Sequence, residues 1–286
     1  MTGHIGIGRS YREPTWFERL GSRLRSVVSG TVWHHRLRVL FRSALGWTAG
    51  DQLVATLPGG EQVRMLPEHR QLAWNAEEYA AFKSAIAPGA TVLDVGANLG
   101  AYTVLFAQWV GPRGRVFAFE PAPECRSGLR RQLELNGVAA RVEVRAEAVA
   151  EAAGERSFRA DGLRGDNRLA GKGDQPGAAG WVSVPTTSID EFCDRAGVDP
   201  DVLKIDVEGA ELEVLRGARR TLGRNGSRLA VFVELHPRVW LQTGVTRRDV
   251  EAELATQGLA FERIDGGADP WAIEGVCVRA RQRCAS

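Results

Sequence analysis

Short apolar runs alternate with amphipathic segments along most of the chain from residue 91. The runs are typical of buried strands, and the segments between them place apolar residues at helical spacing. This alternation predicts an α/β fold, in which helices cover both faces of a parallel sheet through right-handed crossovers. No helical segment separates the last two runs, AFERID and IEGVCVRA, so we expect them to form an antiparallel pair at one edge.

The individual segments can be read from the same pattern. The predicted strands are TVLDVG, RVFAFEP, RVEVRAEAV, WVSVPTTS, VLKIDVE and LAVFVEL. The predicted helices are NAEEYAAFKSAI, AYTVLFAQWV, PECRSGLRRQLELNG, SIDEFCDRAG, GAELEVLRGARRTL and TRRDVEAELATQG. The polar, glycine-rich stretch before about residue 180, which contains RGDNRLAGKGDQPGAAG, predicts a mobile loop.

The first 48 residues have a different pattern. Two basic segments, TWFERLGSRLRSVV and VWHHRLRVLFRSAL, place apolar residues on one helical face and arginines away from it. We favour helices that pack on the body of the protein as a lid, and leave open peripheral contact of residues 15–45 with an anionic membrane. Two alternating runs around Gly59 and Gly60 predict a hairpin. We therefore divide the chain into an extension, residues 1–75, and a main domain, residues 76–286.

Composition narrows the class of protein. The 286 residues are 44% hydrophobic and 25% charged, and the formal net charge of +2 gives no indication of a nucleic-acid partner. The four cysteines form no CxxC pair, so neither a disulfide framework nor a zinc site is predicted. We see no secretory signal and no membrane-spanning stretch. We expect a cytoplasmic protein, with peripheral association at the inner face of the membrane left open.

The stretch VLDVGANLGAYT, residues 92–103, ends a predicted strand with an acid and glycines. Ligands of open parallel sheets bind beyond the carboxyl ends of the strands. Gly96 and Gly100 let the backbone approach a ligand closely, and the following helix directs N–H groups at a ligand carboxylate. Asp94 can bind an ammonium group. The stretch therefore fits a ligand that contains an amino acid.

Glu120 ends the next strand, where a carboxylate can accept hydrogen bonds from both hydroxyls of a ribose. An amino acid joined to a ribose indicates S-adenosylmethionine. The dinucleotide pattern GxGxxG is missing, because Asn98 stands at its second glycine. At the third strand end, Glu147 or the backbone of Ala148 would contact the adenine. The predicted cofactor-binding residues are Asp94, Gly96, Ala97, Asn98, Gly100, Tyr102, Glu120, Pro121, Glu147, Ala148 and Asp206.

Two further strand ends carry ionisable residues. Lys204 and Asp206 share a face of VLKIDVE by strand alternation, and Glu234 and His236 do so at the end of VELH. Such groups at the ligand end of a sheet indicate a catalytic site. The predicted catalytic residues are His236, Asp206, Lys204, Glu208 and Glu234.

The acids that open the next predicted helix have two interpretations. Glu208 and Glu211 lie three residues apart, where a carboxylate stabilises a helix N-terminus by about 0.3–1 kcal/mol. A role in the site is an equal alternative for Glu208, and a weaker one for Glu211.

These motifs resemble the FkbM family of S-adenosylmethionine-dependent methyltransferases. VLDVGANLGAYT, FAFEP, TTSIDEF, LKIDVEGAELEVLRGA and VELH stand where that family has its motifs, within about residues 50–280. The resemblance implies a seven-stranded, mostly parallel Rossmann-like sheet with an antiparallel last strand, so residues 76–286 would be the methyltransferase domain. It also implies O-methylation of a hydroxyl on a sugar, a glycolipid or a polyketide-type natural product. The N-terminal segments and the glycine-rich loop carry no family motif, and we expect them to select the acceptor.

Methyl transfer to a hydroxyl requires in-line alignment and removal of a proton. His236 is the preferred base because an imidazole ordinarily titrates near neutral pH, with Asp206 as the alternative. Lys204 would pair with an acid. A Mg²⁺ ion held by Asp206, Glu208, Glu234 and His236 is left open but is not favoured.

Other functions stay open as alternatives. A nucleotide-dependent dehydrogenase is disfavoured by the missing GxGxxG. A binding module could keep the cofactor pocket without catalysis. A methyltransferase could also act on a protein or a nucleic acid, although the near-neutral charge disfavours the latter. The sequence specifies neither the acceptor nor the oligomeric state.

Overall fold

The computed structural model describes residues 4–5, 53–66, 74–160, 162, 167–177, 179–271 and 275–282. They fall into two compact units, one within His4–Ala73 and one within Trp74–Ser286. The two predicted basic helices of the first 48 residues lie outside the described residues. Among the helices that are described, none is both long and apolar enough to cross a bilayer.

The smaller unit contains the predicted hairpin. Its described strands are β1 (His4–Ile5), β2 (Leu53–Thr56) and β3 (Gln62–Met65). Strands β2 and β3 pair in an antiparallel manner, with Leu53 opposite Met65. Gly60 has a φ of +86° in the connecting turn and donates its N–H to the carbonyl of Leu57. The hairpin prediction is confirmed, and glycine is required there because its φ is left-handed.

The larger unit contains the alternating strands and helices. Its strands are β4 (Trp74–Asn75), β5 (Thr91–Val95), β6 (Arg115–Phe119), β7 (Val142–Arg145), β8 (Ala148–Val149), β9 (Gly154–Arg159), β10 (Arg168–Leu169), β11 (Trp181–Thr187), β12 (Val202–Ile205), β13 (Ala230–Leu235), β14 (Leu259–Arg263) and β15 (Val276–Gln282). Its α-helices are α1 (Ala76–Ala85), α2 (Ala101–Val110), α3 (Pro123–Leu135), α4 (Ile189–Ala196), α5 (Glu211–Arg216), α6 (Arg219–Asn225), α7 (Pro237–Thr243) and α8 (Arg247–Thr256).

A seven-stranded sheet flanked by helices forms the centre of this unit. The strand order is β14–β15–β13–β12–β5–β6–β7. Strands β13, β12, β5, β6 and β7 are parallel, whereas β15 runs antiparallel to both β13 and β14. The predicted fold class is therefore confirmed, including the antiparallel last strand.

Side-chain caps explain where several helices begin. Asn75 caps α1 by accepting the N–H groups of Glu77 and Glu78. Ser188 and Glu191 form a capping box at the start of α4, and Thr246 begins α8 with the same arrangement. Each cap satisfies N–H groups that the first helical turn leaves without partners.

A second, four-stranded sheet includes part of the stretch in which only a mobile loop was predicted, which is a correction: β9 and β10 are strands there. Its order is β10–β9–β11–β8, with β9 antiparallel to β10 and β11, and β11 parallel to β8. The predicted strand WVSVPTTS therefore belongs to this sheet, and only the first part of RVEVRAEAV lies in the central one. The hydrophobic pattern that would predict strands in this stretch was weak, because β9 buries a single side chain, Phe158, and β10 has only two residues.

The apolar core lies around the central strands, and its composition changes at their carboxyl ends. Leu93, Leu203 and Val233 are fully buried in adjacent strands. Asp94, Lys204 and His236, also buried, stand near the carboxyl ends of the same strands or just beyond them. The sheet thus concentrates charged groups along one edge, where an open parallel sheet binds its ligands.

Candidate active site

The loop after β5 approaches the loop after β12 closely. Gly96 has a φ of +84°, and a Cβ at this position would lie 1.7 Å from the backbone oxygen of Asp206. The N–H groups of Gly96 and Ala97 both donate to the carbonyl of Phe119, at 3.0 Å. The missing side chain of Gly96 thus makes room for protein backbone, while Gly96 itself faces the adjoining cleft.

That cleft has an empty volume of about 630 Å³, which includes space open to solvent. The predicted site residues that line it are Gly96, Asn98, Glu120, Pro121, Glu147, Ala148, Asp206 and Glu208. Apolar and small side chains complete the wall, together with Asn167: Val95, Phe119, Val149, Phe158, Leu169, Val207 and Ala210. The predicted cofactor residues outside this lining are Asp94, Ala97, Gly100 and Tyr102.

Glu120 is oriented by two backbone groups. Its Oε2 accepts the N–H of Asn98 and its Oε1 accepts the N–H of Ala122, both at 2.8 Å. Asn98 adopts a left-handed φ of +49° in the same loop. Burial raises the pKa of Glu120 to about 7, although the two hydrogen bonds oppose the rise. Because a carboxylate oxygen has two lone pairs, each oxygen can still accept a hydrogen bond from a ligand hydroxyl.

Glu147 faces the same cleft from the end of β7. Its carboxylate forms ion pairs with Arg145 and, at 3.6 Å, with Arg195. Burial is the largest single effect and opposes ionisation of this carboxyl, but the hydrogen bonds it accepts and the charges of Arg145 and Arg195 together outweigh burial, so the pKa of Glu147 is lowered. Glu147 is therefore a fixed anion beside Ala148.

Lys204 connects two strand-end acids. Its Nζ lies 3.1 Å from Oδ2 of Asp206 and 3.6 Å from Oδ1 of Asp94. The hydroxyl of Thr103 donates to Oδ2 of Asp94 at 2.6 Å, whereas Oδ1 has no hydrogen-bond partner among the described residues. Burial alone would lower the pKa of Lys204, but the carboxylates of Asp206, Asp94 and Glu234 raise it above its usual value. Lys204 is therefore a permanent cation between the two loops.

His236 lies at the centre of a carboxylate cluster and is only 5% exposed. Its Nδ1 is 2.7 Å from Oε1 of Glu211. Its Nε2 faces Asp206 at 3.8 Å, and Glu208 and Glu234 at 3.7 Å. Burial opposes protonation of the ring, but these carboxylates, Glu211 foremost, raise the pKa of His236 to about 11. The imidazole is thus protonated at neutral pH, and it could act as a base only after losing that proton.

Two carboxyls of the cluster, those of Glu208 and Glu234, have a raised pKa and hold their protons more tightly than usual. Burial, with Asp206 and Glu234 nearby, raises the pKa of Glu208 to about 7, against the opposing effect of His236. Burial also raises the pKa of Glu234. Glu208 has a φ of +50°, one of two left-handed non-glycine residues described, and both line the cleft. Strained backbone of this kind is concentrated at functional sites.

Glu211 holds His236 in place, a contact that the sequence analysis did not identify. It is fully buried and accepts the N–H of Gly209 at 3.0 Å and the indole N–H of Trp240 at 2.6 Å. Its acidic position at the start of α5 favoured helix stabilisation, with a role in the site as the weaker alternative. The available signal was the second acid in VEGAE, three residues after Glu208.

Tyr102 and Glu78 form a second contact that sequence reasoning missed. The hydroxyl of Tyr102, predicted to meet the cofactor, donates to Glu78 on α1. Burial raises the pKa of Glu78 to about 7; its hydrogen bond with Tyr102 opposes the rise, and Glu234 adds to it. The structure therefore adds Glu78 to the acids near Lys204. An ordinary amphipathic helix gave no indication of this placement.

The site contains two sets of binding groups: one lines the cofactor cleft, and the other could hold a metal ion. The cleft combines apolar walls with Glu120, and its residues fit the predicted S-adenosylmethionine. Asp206, Glu234 and His236 present ligand atoms that all lie within 4.8 Å of one another, a set that could hold a metal ion. Asp206 belongs to both, so binding and proton transfer could take place side by side.

Comparison with known proteins identifies sequence relatives. Residues 94–258 match the family model described as the methyltransferase FkbM domain. The chain is 30% identical over 149 residues to the 2-O-methyltransferase NoeI of Sinorhizobium fredii, covering 47% of this chain and 60% of that protein. It is also 30% identical over 172 residues to the hexuronic acid methyltransferase AglP of Haloferax volcanii, covering 57% and 63%. The chain thus spans less than two thirds of each of these relatives.

A solved structure with the same family name was also found. The methyltransferase FkbM from Methylobacillus flagellatus is 18% identical, with a TM-score of 0.43. The match covers 67% of this chain and 43% of that one.

Proposed function

The chain belongs to the FkbM family of S-adenosylmethionine-dependent methyltransferases, and from that premise we propose that it methylates a hydroxyl group of a sugar, glycolipid or polyketide-type natural product. The carboxylate–imidazole cluster beside the cofactor cleft is the observation that carries this proposal, because Asp206 and Glu208 belong to both. The names of two relatives, a 2-O-methyltransferase and a hexuronic acid methyltransferase, support a sugar hydroxyl in particular.

We propose that the cleft residues hold the cofactor in an extended position. Glu120 would accept hydrogen bonds from the ribose hydroxyls, and Gly96 and Asn98 would place backbone beside the amino-acid part. Glu147 and Ala148 would contact the adenine next to the apolar wall. Asp94 and Lys204 act from outside the lining by fixing the loop of Asp206. When bound, S-adenosylmethionine supplies an electrophilic methyl group on a sulfonium.

We propose that the carboxylate–imidazole cluster positions the acceptor hydroxyl and accepts its proton. A sugar hydroxyl is a weak nucleophile at neutral pH, and a positioned base contributes about 10²–10⁴-fold to its reaction. His236, with Nδ1 held by Glu211, is the predicted base once it has lost its own proton, and Asp206 is the alternative. In either case the cluster would hold the acceptor hydroxyl beside the methyl group that the bound cofactor supplies and would take up the hydroxyl proton.

Methyl-labelled S-adenosylmethionine tests this function. The purified protein is incubated with an extract from a host strain that lacks it, and the extract is separated into organic-soluble, small-molecule, protein and nucleic-acid fractions. We expect label in the organic-soluble or small-molecule fraction, and none with the Asp206→Asn variant. Label in protein or nucleic acid would overturn the substrate class. Cofactor binding without label in any fraction would favour the non-catalytic binding module.

A further inference from the structure

We propose that Asp206, Glu234 and His236 bind a divalent cation of the Mg²⁺ or Mn²⁺ class at the ends of β12 and β13. The two strands are adjacent and parallel, so their carboxyl ends bring these side chains together. Two carboxylates and an imidazole suit such hard or borderline cations. The binding itself does not depend on the proposed function, whereas its consequence for catalysis does.

The burial and orientation of His236 are a second observation, separate from the carboxylates of Asp206 and Glu234, that indicates a ligand. The ring is nine-tenths buried, and its Nδ1 is held by Glu211 at 2.7 Å. Metal-binding histidines commonly have their second ring nitrogen fixed by a carboxylate in this way. Glu211 is itself held by Trp240 and by the N–H of Gly209. The orientation of the ring is therefore set before any ligand arrives.

The other ring nitrogen points into an oxygen-lined space. Among the described carboxylates, the oxygens nearest to Nε2 are 3.7–3.8 Å away, on Asp206, Glu208 and Glu234. An ion pair can close further, as Lys204 and Asp206 do at 3.1 Å in the same site. The carboxylates thus surround the nitrogen without contacting it.

The separations between Nε2 of His236 and the carboxylate oxygens agree with an octahedral ion, whereas the spread of the three ligand atoms, up to 4.8 Å, would have to contract on binding. With metal–oxygen distances of about 2.0–2.1 Å, neighbouring ligands are about 3 Å apart and opposite ligands about 4 Å apart. The observed 3.7–3.8 Å separations lie between these values, so small side-chain movements would complete the coordination. Glu208 can supply a further oxygen, directly or through water.

The position of the proposed cation indicates which class of acceptor the site would bind. Three protein ligands leave about three of six positions for water or substrate. Because Asp206 also lines the cofactor cleft, the remaining positions lie toward that cleft. Two adjacent oxygens of an acceptor could occupy two of them, which favours a vicinal diol, as in a sugar ring. A bound cation would also lower the pKa of the reacting hydroxyl.

Titration with Mn²⁺ alone tests the site. The full-length protein is freed of metal with a chelator and dialysed, and free Mn²⁺ is followed by electron paramagnetic resonance. We expect one site per chain. The variants Glu234→Gln and His236→Gln should weaken it at least tenfold, and Glu211→Gln by about 10–100-fold through the ring orientation. The matched control is Glu151→Gln, an exposed carboxylate away from the cluster, which should bind as the unmodified protein does.

Thermal unfolding of each variant shows whether it is folded before its affinity is compared. Absence of a stoichiometric site, or a site kept by both Glu234→Gln and His236→Gln, would overturn the inference. Methyl transfer that is lost with the chelator and restored by Mg²⁺ would support the catalytic consequence. Transfer unaffected by the chelator, in a protein that binds no Mn²⁺, would reject the metal and leave the methyltransferase proposal standing.

Discussion

At the scale of single residues, Gly96 is the described glycine at which an added Cβ would have the least space. An alanine there would combine a left-handed φ, which costs about 1–2 kcal/mol, with a clash against the backbone of Asp206. We predict that Gly96→Ala lowers the free energy of unfolding by more than this strain alone and weakens S-adenosylmethionine binding. Denaturant unfolding and calorimetric titration measure both effects.

Gly89→Ala is the matched control for that prediction. Gly89 has a φ of +90°, and a Cβ there would meet nothing within 4 Å. It should therefore show the cost of the backbone conformation alone and leave cofactor affinity unchanged. If both variants lost the same free energy of unfolding, the close approach of the loops after β5 and β12 would not be required for stability.

Glu120 gives a prediction about pH. Its pKa is about 7 in the folded protein and ordinarily 4.5, so the folded state binds the proton more tightly. The stability from this proton is fully present below about pH 4.5 and is lost as pH rises through about 7. Glu120→Gln does not titrate, so the stability difference between the two proteins should change by about 1–3 kcal/mol between pH 5 and 8.

Thermal unfolding of both proteins across that range measures the difference, and the other acids cancel because they are shared. The unmodified protein should lose more stability toward pH 8 than the variant does. Parallel pH curves would show that Glu120 titrates at its ordinary value despite burial.

At the scale of secondary-structure elements, Glu253 joins α8 to the preceding helices. This buried carboxylate pairs with Arg219, and lies 3.6 Å from Arg216. We predict that Glu253→Ala lowers the free energy of unfolding by about 1–2 kcal/mol, since hydrogen bonds to a charged group are lost. Glu251→Ala, which breaks an exposed pair with Arg247 on the same helix, should cost about 0.3–0.5 kcal/mol. Denaturant unfolding distinguishes them, and equal losses would contradict a special role for Glu253.

The elements that could be predicted from the sequence are those whose pattern of hydrophobic residues directly reflects the burial of their side chains. Strands β5, β12 and β13 are buried on both faces and read as continuous apolar runs, so the central sheet follows from the sequence. Strands β9 and β10 are stabilised by pairing with each other and with β11, which leaves little local signal. Helix α7 was missed because it is short and begins at a proline directly after His236.

In the candidate site, too, some features could be predicted from local sequence and others could not. Acids at strand ends could be predicted, because parallel strands place their carboxyl ends along one edge. The contacts of His236 with Glu211 and of Tyr102 with Glu78 join residues far apart in the chain. Neither pair has a local pattern, so both depend on how helices pack against the finished sheet.

At the scale of the whole molecule, the basic segments before residue 48 are favoured as a lid, and membrane contact through them is the alternative left open. If they bind an anionic surface, Arg19, Arg23 and Arg25 supply much of the attraction, at about 1 kcal/mol each. We predict that replacing all three with glutamine reduces flotation with phosphatidylserine-containing vesicles and leaves cofactor affinity unchanged. Equal flotation of both proteins, or no flotation of either, would support the lid interpretation instead.

The position of β15 has a consequence for how the molecule assembles. Among the described strands it comes last in sequence, yet it lies inside the sheet between β13 and β14. Until residues 276–282 are available, β14 lacks its neighbour and one side of β13 stays unpaired. Because β13 carries Glu234 and leads into His236, the reactive edge is completed only after residues 276–282 have left the ribosome. A nascent chain would therefore form the strands around the cofactor cleft before it completes the reactive edge.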